Sequence, residues 1–409
     1  MKSNRGKELN IGFVLILIAC MLFLTGCWGK REVEELAPLI GVGIDLGQKP
    51  GTYLITQQFS LPKIGGVTGA DIENRTISVE ASNVREAYEK ISKILYRTPF
   101  MGSLKMIFIG EDAAKAGIND ILDFGQRFSE FRRAMYLVLT EGKAQSLLNM
   151  KMRTGALPAM YIKNNLESET ISAYPAVDLG HYLTVLGRKS MAPIIPLVKS
   201  VKSGDGGIEY KAEGKDGAEE IQLEGAGVFR GDRLVDFLTD KETKGYMWLE
   251  NNVAHRIINT VDIEESKVNF GGQVLKSTTK YKVKGNDGTI GLQYQIKASI
   301  AVDEVMGLKE QLSETEWIDL MKGAEKSFAK VIQKECELSI KKERELGLDF
   351  LGIGRHIEQK NPAYWKTVKD QWEQKIADFP VSLNVQVTIH HSGMSSSSAT
   401  TNSTGEGEE

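Results

Sequence analysis

The sequence predicts an α+β fold: a multi-domain ectodomain with a mixed α/β N-terminal part and a C-terminal antiparallel sheet packed with long helices. Three observations carry this. Strand-like and helix-like periodicities alternate through the first half of the 409 residues. The second half holds consecutive runs of period-two alternation and only then two helical stripes. A polar, glycine-rich stretch separates the halves. With 41% apolar residues and 51 Lys+Arg against 54 Asp+Glu, the chain is too apolar and too evenly charged for disorder. A net charge of -3 supplies no global basic field, so nucleic acid is not an expected partner. At about 100 to 200 residues per domain, two or three domains fit.

The first 27 residues carry the most specific signal. Lys2, Arg5 and Lys7 precede an apolar run, Ile11 to Leu24, that ends in Leu24-Thr25-Gly26-Cys27. A basic start, an apolar centre, small residues at the cleavage point and a Cys at the new N-terminus are the layout of a bacterial lipoprotein signal. A plain secretory signal with a chance Cys is the alternative. The apolar run of 14 residues falls short of the roughly 20 that a membrane-spanning helix needs. Cys27 is therefore the expected lipid attachment site and residues 1–26 the signal peptide. At roughly 0.8 kcal/mol per buried methylene, one acyl chain binds reversibly and two anchor stably. No later apolar stretch approaches that length, so the rest reads as one exported ectodomain on a membrane surface.

Along the chain, Leu39 to Leu46 and Thr52 to Leu61 read as strands joined by a turn at Gly47 to Gly51. Asn83 as N-cap, with Glu86 three residues on, opens an amphipathic helix that presents Val84, Ala87, Tyr88, Ile91, Ile94 and Leu95 and that Pro99 closes. Leu104 to Ile109 reads as a buried strand, Ile118 to Phe128 as a helix, Arg133 to Thr140 as a strand and Ala144 to Met150 as a short helix. Leu157 to Leu186 is mainly helical, with Pro158 and Pro175 as breaks, and Ile194 to Val201 is one more strand. Ser203 to Glu220 holds five glycines among charged residues. It is either a long hairpin loop or a domain boundary, and a boundary near 205 to 220 is the expectation.

In the second half, Ile221 to Arg230 and Leu234 to Leu238 flank Gly231-Asp232 as a tight hairpin. Ala254 to Ile263, Val274 to Lys284 and Thr289 to Asp303 alternate apolar and polar residues as neighbouring antiparallel strands. Ser313 and Glu316 form a capping box before a long helix, with Leu312 and Trp317 at the staple positions. Its stripe runs Trp317, Leu320, Met321, Ala324, Phe328, Val331, Ile332, Cys336 and Ile340 and ends near Gly347. Asn361-Pro362 opens a second helix that presents Trp365, Val368, Trp372 and Ile376. Val381 to His390 is a last strand, and the Ser-rich segment 392–409 is expected to be a disordered tail.

The search for chemistry is mostly negative. Gly41-Val-Gly43-Ile-Asp45 resembles the start of a dinucleotide loop, but Leu46 stands at the third glycine position and a strand follows. No GxSxG, HExxH, Walker A or EF-hand pattern is present. His390 and His391 are adjacent on a strand and point to opposite faces, which suits no shared metal. His181, His255 and His356 are scattered, and Cys336 on an apolar helix face reads as a buried inert thiol. No catalytic residue, metal or cofactor is expected.

Several motifs together resemble a family. Leu24-Thr25-Gly26-Cys27-Trp28, then Arg31-Glu32-Val33-Glu34-Glu35-Leu36-Ala37 and Gly41-Val-Gly43-Ile-Asp45, resemble the N-terminus of the GerC-type, or Ger(x)C, spore germination lipoproteins. So do Leu223-Glu-Gly-Ala-Gly-Val-Phe-Arg-Gly-Asp-Arg-Leu-Val235, Glu242-Thr-Lys-Gly-Tyr-Met-Trp-Leu249, and Asp349-Phe-Leu-Gly-Ile-Gly354 before Asn361-Pro362 and Trp365. Gly29 departs from the pattern, since members commonly have an acidic residue after the Trp. The resemblance implies a non-enzymatic C subunit of a nutrient germinant receptor that works with two integral membrane subunits, A-type and B-type. It places the protein on the outer face of the cell membrane, the spore inner membrane, held through acylated Cys27. It further implies an N-terminal germination-protein region over 27–204 and a C-terminal one over 221–391. A solute-binding lipoprotein of a transporter is the alternative, disfavoured because the two halves do not read as similar α/β lobes.

Overall fold

The computed structural model describes residues 35–62, 72–127, 132–152, 155–168, 174–202, 219–260, 268–286, 289–308 and 312–391. The signal segment with Cys27, most of the glycine-rich stretch and the tail lie outside the described residues.

A nine-stranded mixed sheet forms first. Strand β1 (Leu36–Leu46) is buried along nearly its whole length, which is why it reads as a continuous apolar run rather than an alternating one. It pairs antiparallel with β2 (Tyr53–Pro62), and β2 with β3 (Ile72–Ala81). The sequence reading had no strand at β3, because an edge strand with a largely polar sequence gives no clean hydrophobic alternation. Helix α1 (Val84–Ser92) buries Val84, Ala87 and Ile91. Asn83 caps it, accepting from the Glu86 N–H at 2.9 Å, but the Glu86 carboxylate turns to the Ser82 N–H at 2.8 Å rather than back to Asn83. Short β4 (Thr98–Phe100) and then β5 (Met106–Gly110) run parallel to β1. Helices α2 (Glu111–Ala116) and α3 (Asn119–Arg127) lead to β6 (Tyr136–Thr140), parallel to β5. Helices α4 (Ala144–Leu148), α5 (Pro158–Glu167) and α6 (Leu179–Leu186) precede β7 (Ile194–Lys202), parallel to β6. Pro158 starts α5 instead of breaking it, since a first-turn N–H has no partner to lose.

Strands β8 (Glu219–Arg230) and β9 (Arg233–Leu238) complete the order β3-β2-β1-β5-β6-β7-β8-β9. The 221–238 hairpin, read from the sequence as the start of the second half, hydrogen-bonds into the first sheet. The glycine-rich stretch connects β7 to β8, which are antiparallel neighbours in one sheet, and the apolar side chains of Leu223, Ala226 and Val228 are buried there.

Helix α7 (Asp240–Leu249) opens with a capping box of Thr239 and Glu242. The second sheet has the order β10 (Ile257–Asn259), β11 (Asn269–Asn286), β12 (Thr289–Met306) and β13 (Val381–His391). The first three strands are antiparallel as expected. β13 instead runs parallel to β12, because the intervening helices form a crossover that returns the chain to the starting end of β12. That crossover holds α8 (Glu314–Leu346), with the expected Ser313–Glu316 capping box and Gly347 left-handed at its end. It continues through α9 (Ile353–Lys360), α10 (Pro362–Val368) and α11 (Trp372–Lys375). The helix expected from Asn361 onward is thus broken by a 3-10 turn at Lys369–Gln371, yet Trp365, Val368, Trp372 and Ile376 are all buried. On α8, Ala324, Phe328, Ile332, Cys336 and Ile340 are buried, together with Glu335, Ser339 and Glu343. Those three polar residues are where the site begins.

Candidate functional site

Helices α7 and α8 cross at Gly245. A Cβ there would stand 2.1 Å from the Glu335 carbonyl oxygen, so only glycine permits the backbone contact. Cys336 packs at the same crossing, its Sγ 4.0 Å from the Gly245 carbonyl. Burial pushes its thiol well above the ordinary value, which keeps it protonated and inert. The close crossing also brings Glu335 to Trp248, whose indole Nε1 donates to Oε2 at 2.8 Å. Arg256 donates to both Glu335 oxygens, at 2.9 and 2.5 Å. The pair is more than nine-tenths buried, a geometry in which two parallel N–H···O bonds offset desolvation.

Two turns on, Glu343 accepts from the Leu351 N–H at 2.7 Å, and burial pushes its carboxyl well above the usual range. Asp349 accepts from the N–H groups of Ile353 (2.7 Å) and Gly354 (2.5 Å), which caps α9, and from Trp372 Nε1 at 2.7 Å. Burial outweighs these three bonds and raises its pKa to about 6. The same loop is bonded to the first sheet's lead-in. The Asp349 carbonyl accepts from Ala192 N–H at 2.6 Å, and the Ser190 carbonyl accepts from Arg355 N–H at 3.0 Å. Arg355 reaches Glu250 at the end of α7 at 2.7 Å. His356 stacks on Tyr281 at 3.8 Å, with Tyr294 Oη 3.3 Å from Nδ1. Burial first, then Arg355, push its pKa down to about 3, so it is a neutral core histidine.

Between these layers lies a cleft of about 440 Å³ lined by Arg188, Lys189, Arg230, Trp372 and Glu373 among others. Exposed ion pairs cross it, Lys189–Asp370 at 3.0 Å and Arg230–Glu373 at 4.0 Å. Such pairs set register more than they stabilise. The arrangement is a mechanical junction: a helix crossing, a bidentate buried ion pair and a capped loop that couple the first sheet to the second layer.

The structure separates the remaining sequence candidates. Asp45 accepts from the N–H groups of Ala144 (2.7 Å) and Gln145 (2.9 Å), so the Gly41-Val-Gly43-Ile-Asp45 stretch docks and caps α4. A Cβ on Gly43 would meet Leu148 at 2.8 Å. His390 is exposed on β13, while His181 lies on α6 and His255 in the loop before β10. Among the described residues no three His, Cys, Asp or Glu side chains are grouped to hold a metal. Cys27 lies outside the described residues. Sequence reading missed Glu335, Ser339, Glu343 and Arg256. Its available signal was the four-residue spacing of Glu335, Ser339 and Glu343, a polar stripe beside the apolar one.

Comparison with known proteins gives two family-model matches: the spore germination protein N-terminal domain over residues 29–200, and the spore germination B3/GerAC-like C-terminal domain over 224–393. The gap between them coincides with the β7–β8 connection. Spore germination protein KC of Bacillus subtilis (strain 168) is 27% identical over 394 residues, covering 93% of this chain and 95% of that protein. Spore germination protein B3 of the same organism is 22% identical, with 92% and 97% covered. Among solved structures, the crystal structure of the GerBC protein matches with a TM-score of 0.54 at 20% identity, over 86% of this chain and 97% of that one. At that identity the likeness establishes the fold.

Proposed function

The chain belongs to the GerC-type family of spore germination proteins, and from that premise we propose that it is the lipid-anchored, non-catalytic C subunit of a nutrient germinant receptor. The observation that carries this is the order of features: Leu24-Thr25-Gly26-Cys27 stands directly before two matched germination domains that together run from residue 29 to 393. Cys27 takes the lipid, and the ectodomain sits at the outer face of the cell membrane, the spore inner membrane, beside two integral membrane subunits. Among the described residues no helix is long and apolar enough to cross a membrane, which is in keeping with a surface anchor. The buried junction suits a relay, because a rigid connection between two layers lets a partner that prefers one receptor state bias the other. The two sheets differ in size and pairing, which argues against the twin lobes of a solute-binding protein.

The test is Cys27→Ala in sporulating cells. The variant is expected to fold, leave the membrane fraction and slow nutrient-triggered germination, since the acyl anchor sets its local concentration near its partners. Wild-type pull-down from dormant spores should return a diacylated Cys27 peptide and two polytopic proteins. Full membrane retention with normal germination in the variant overturns the reading.

A further inference from the structure

The open face of the second sheet has an unusual composition. On β11, Ser277 and Thr279 point inward and bond to the Val253 and Trp248 carbonyls, while Tyr281 and Val283 pack on the core. The alternate positions therefore face away from the core, and Lys276, Lys280, Lys282 and Lys284 are exposed there. Lys297 joins them from β12, where it is paired with Thr278. The facing positions of β12 and β13 along this stretch, Gln293, Gln295, Asn384 and Gln386 among them, are uncharged. No Asp or Glu stands on the stretch. The acidic residues that border it are Asp287, which follows β11 in the sequence, and Asp303 and Glu304 near the far end of β12, beside the irregular pairing at Gly271–Gly272. None of the five lysines makes an ion pair among the described residues. In a chain of net charge -3, this is a concentrated positive plane.

We propose that this face, through Lys276, Lys280, Lys282, Lys284 and Lys297, rests on the anionic headgroup surface of the membrane that holds the protein. The proposal builds on the lipid-anchored reading and adds an orientation to it. Charge complementarity selects an anionic partner, and the chemistry of the face selects a lipid plane. Lysine positions about 7 Å apart from Lys280 to Lys284 and about 14 Å apart from Lys276 to Lys280, spread over roughly 27 Å, suit a diffuse surface potential rather than a single phosphate pocket. The lysine stretch carries no Arg fork for bidentate recognition and no aromatic platform for nucleic acid bases, and the exposed apolar residues of this sheet, Leu275 and Ile257, lie at the end away from Lys280, Lys282 and Lys284. From Cys27, the linker to β1 reaches at most about 30 Å, so the ectodomain stays near the bilayer and modest contacts suffice to orient it.

The test uses the mature chain carrying Cys27→Ala, so that acyl chains do not mask the face. It is sedimented with vesicles of phosphatidylcholine alone or of phosphatidylcholine with phosphatidylglycerol. Binding to the anionic vesicles is expected to exceed binding to neutral ones by at least about tenfold and to fall steeply with salt. Lys280→Glu/Lys282→Glu/Lys284→Glu should abolish the difference, and the matching Lys→Gln triple variant should reduce it, with thermal melting unchanged in both. Equal binding to the two vesicle types, or undiminished binding by the charge-reversed variant, overturns the proposal. Protection of these lysines from amine acetylation in native membranes, without protection on anionic vesicles, also overturns it, in favour of an acidic protein partner. The acylated wild-type chain reports separately on the anchor: it should bind neutral vesicles, and failure there rejects the anchor reading while leaving the face measurement intact.

Discussion

The buried Glu335–Arg256 pair decides more by what happens when one member is lost than by its net stabilisation. With both present, two charge-assisted bonds and the Trp248 indole satisfy the carboxylate. Arg256→Ala strands a buried anion beside an apolar helix face and should cost about 3 to 5 kcal/mol. Glu335→Leu combined with Arg256→Leu strands neither charge and should cost less than the single change, an ordering that denaturant midpoints at constant slope will show. His356 gives a prediction in pH. Its folded pKa is lowered to about 3 from 6.5, so its contribution is present above 6.5 and is lost as pH falls toward 3. His356→Gln should therefore gain about 1 to 2 kcal/mol on wild type between pH 7 and pH 5. Equal melting-temperature shifts in the two proteins over that range would refute a neutral buried imidazole. Asp349, raised to about 6, acts with the opposite sign over pH 4 to 6 and is common to both proteins, so the comparison cancels it.

Helices α7 and α8 each offer a glycine, in contrasting settings. At Gly245 on α7, an added methyl meets the α8 backbone, so Gly245→Ala should force the helices apart and cost about 1 to 3 kcal/mol. At Gly323, exposed within α8 with open space around it, Gly323→Ala should stabilise by about 0.5 to 1 kcal/mol through helix propensity. Opposite signs for the same chemical change would locate the crossing by thermodynamics alone. Elements of this kind also mark what a sequence discloses. The caps at Asn83, Ser313 and Asn361 and the stripe from Ala324 to Ile340 were legible because they depend on neighbours within a few residues. Strand β3, the parallel direction of β13 and the transfer of β8–β9 to the first sheet were not, because each is decided by a partner far away in sequence. The junction follows the same rule. Asp349-Phe-Leu-Gly-Ile-Gly354 stood out as a motif, but its bonds to Trp372 and Ala192 exist only once both layers are packed.

At the scale of the molecule, the question is whether the two sheets behave as one cooperative body. Among the polar connections, the Asp349 loop is central: its carboxylate caps α9 and holds Trp372, while its carbonyl binds Ala192 beside β7. Asp349→Ala removes three acceptor contacts at a buried site and should cost about 3 kcal/mol. The more informative outcome is the shape of unfolding. One core lies beneath β1, β2 and β5, and the other, beneath β11 and β12, also takes in Ile194, Ala226, Val228 and Leu238 from β7–β9, so the unit built on β1, β2 and β5 retains a reason to stay folded apart from the one that β7–β9 share with the second sheet. Wild type should melt in a single transition, and the variant in two, with amides of β11–β12 exchanging independently of those in β5–β6. One shared transition in the variant would mean that the apolar core joining β7–β9 to α7, α8 and the second sheet unites the body, and the relay would then run through that packing rather than through the Asp349 loop.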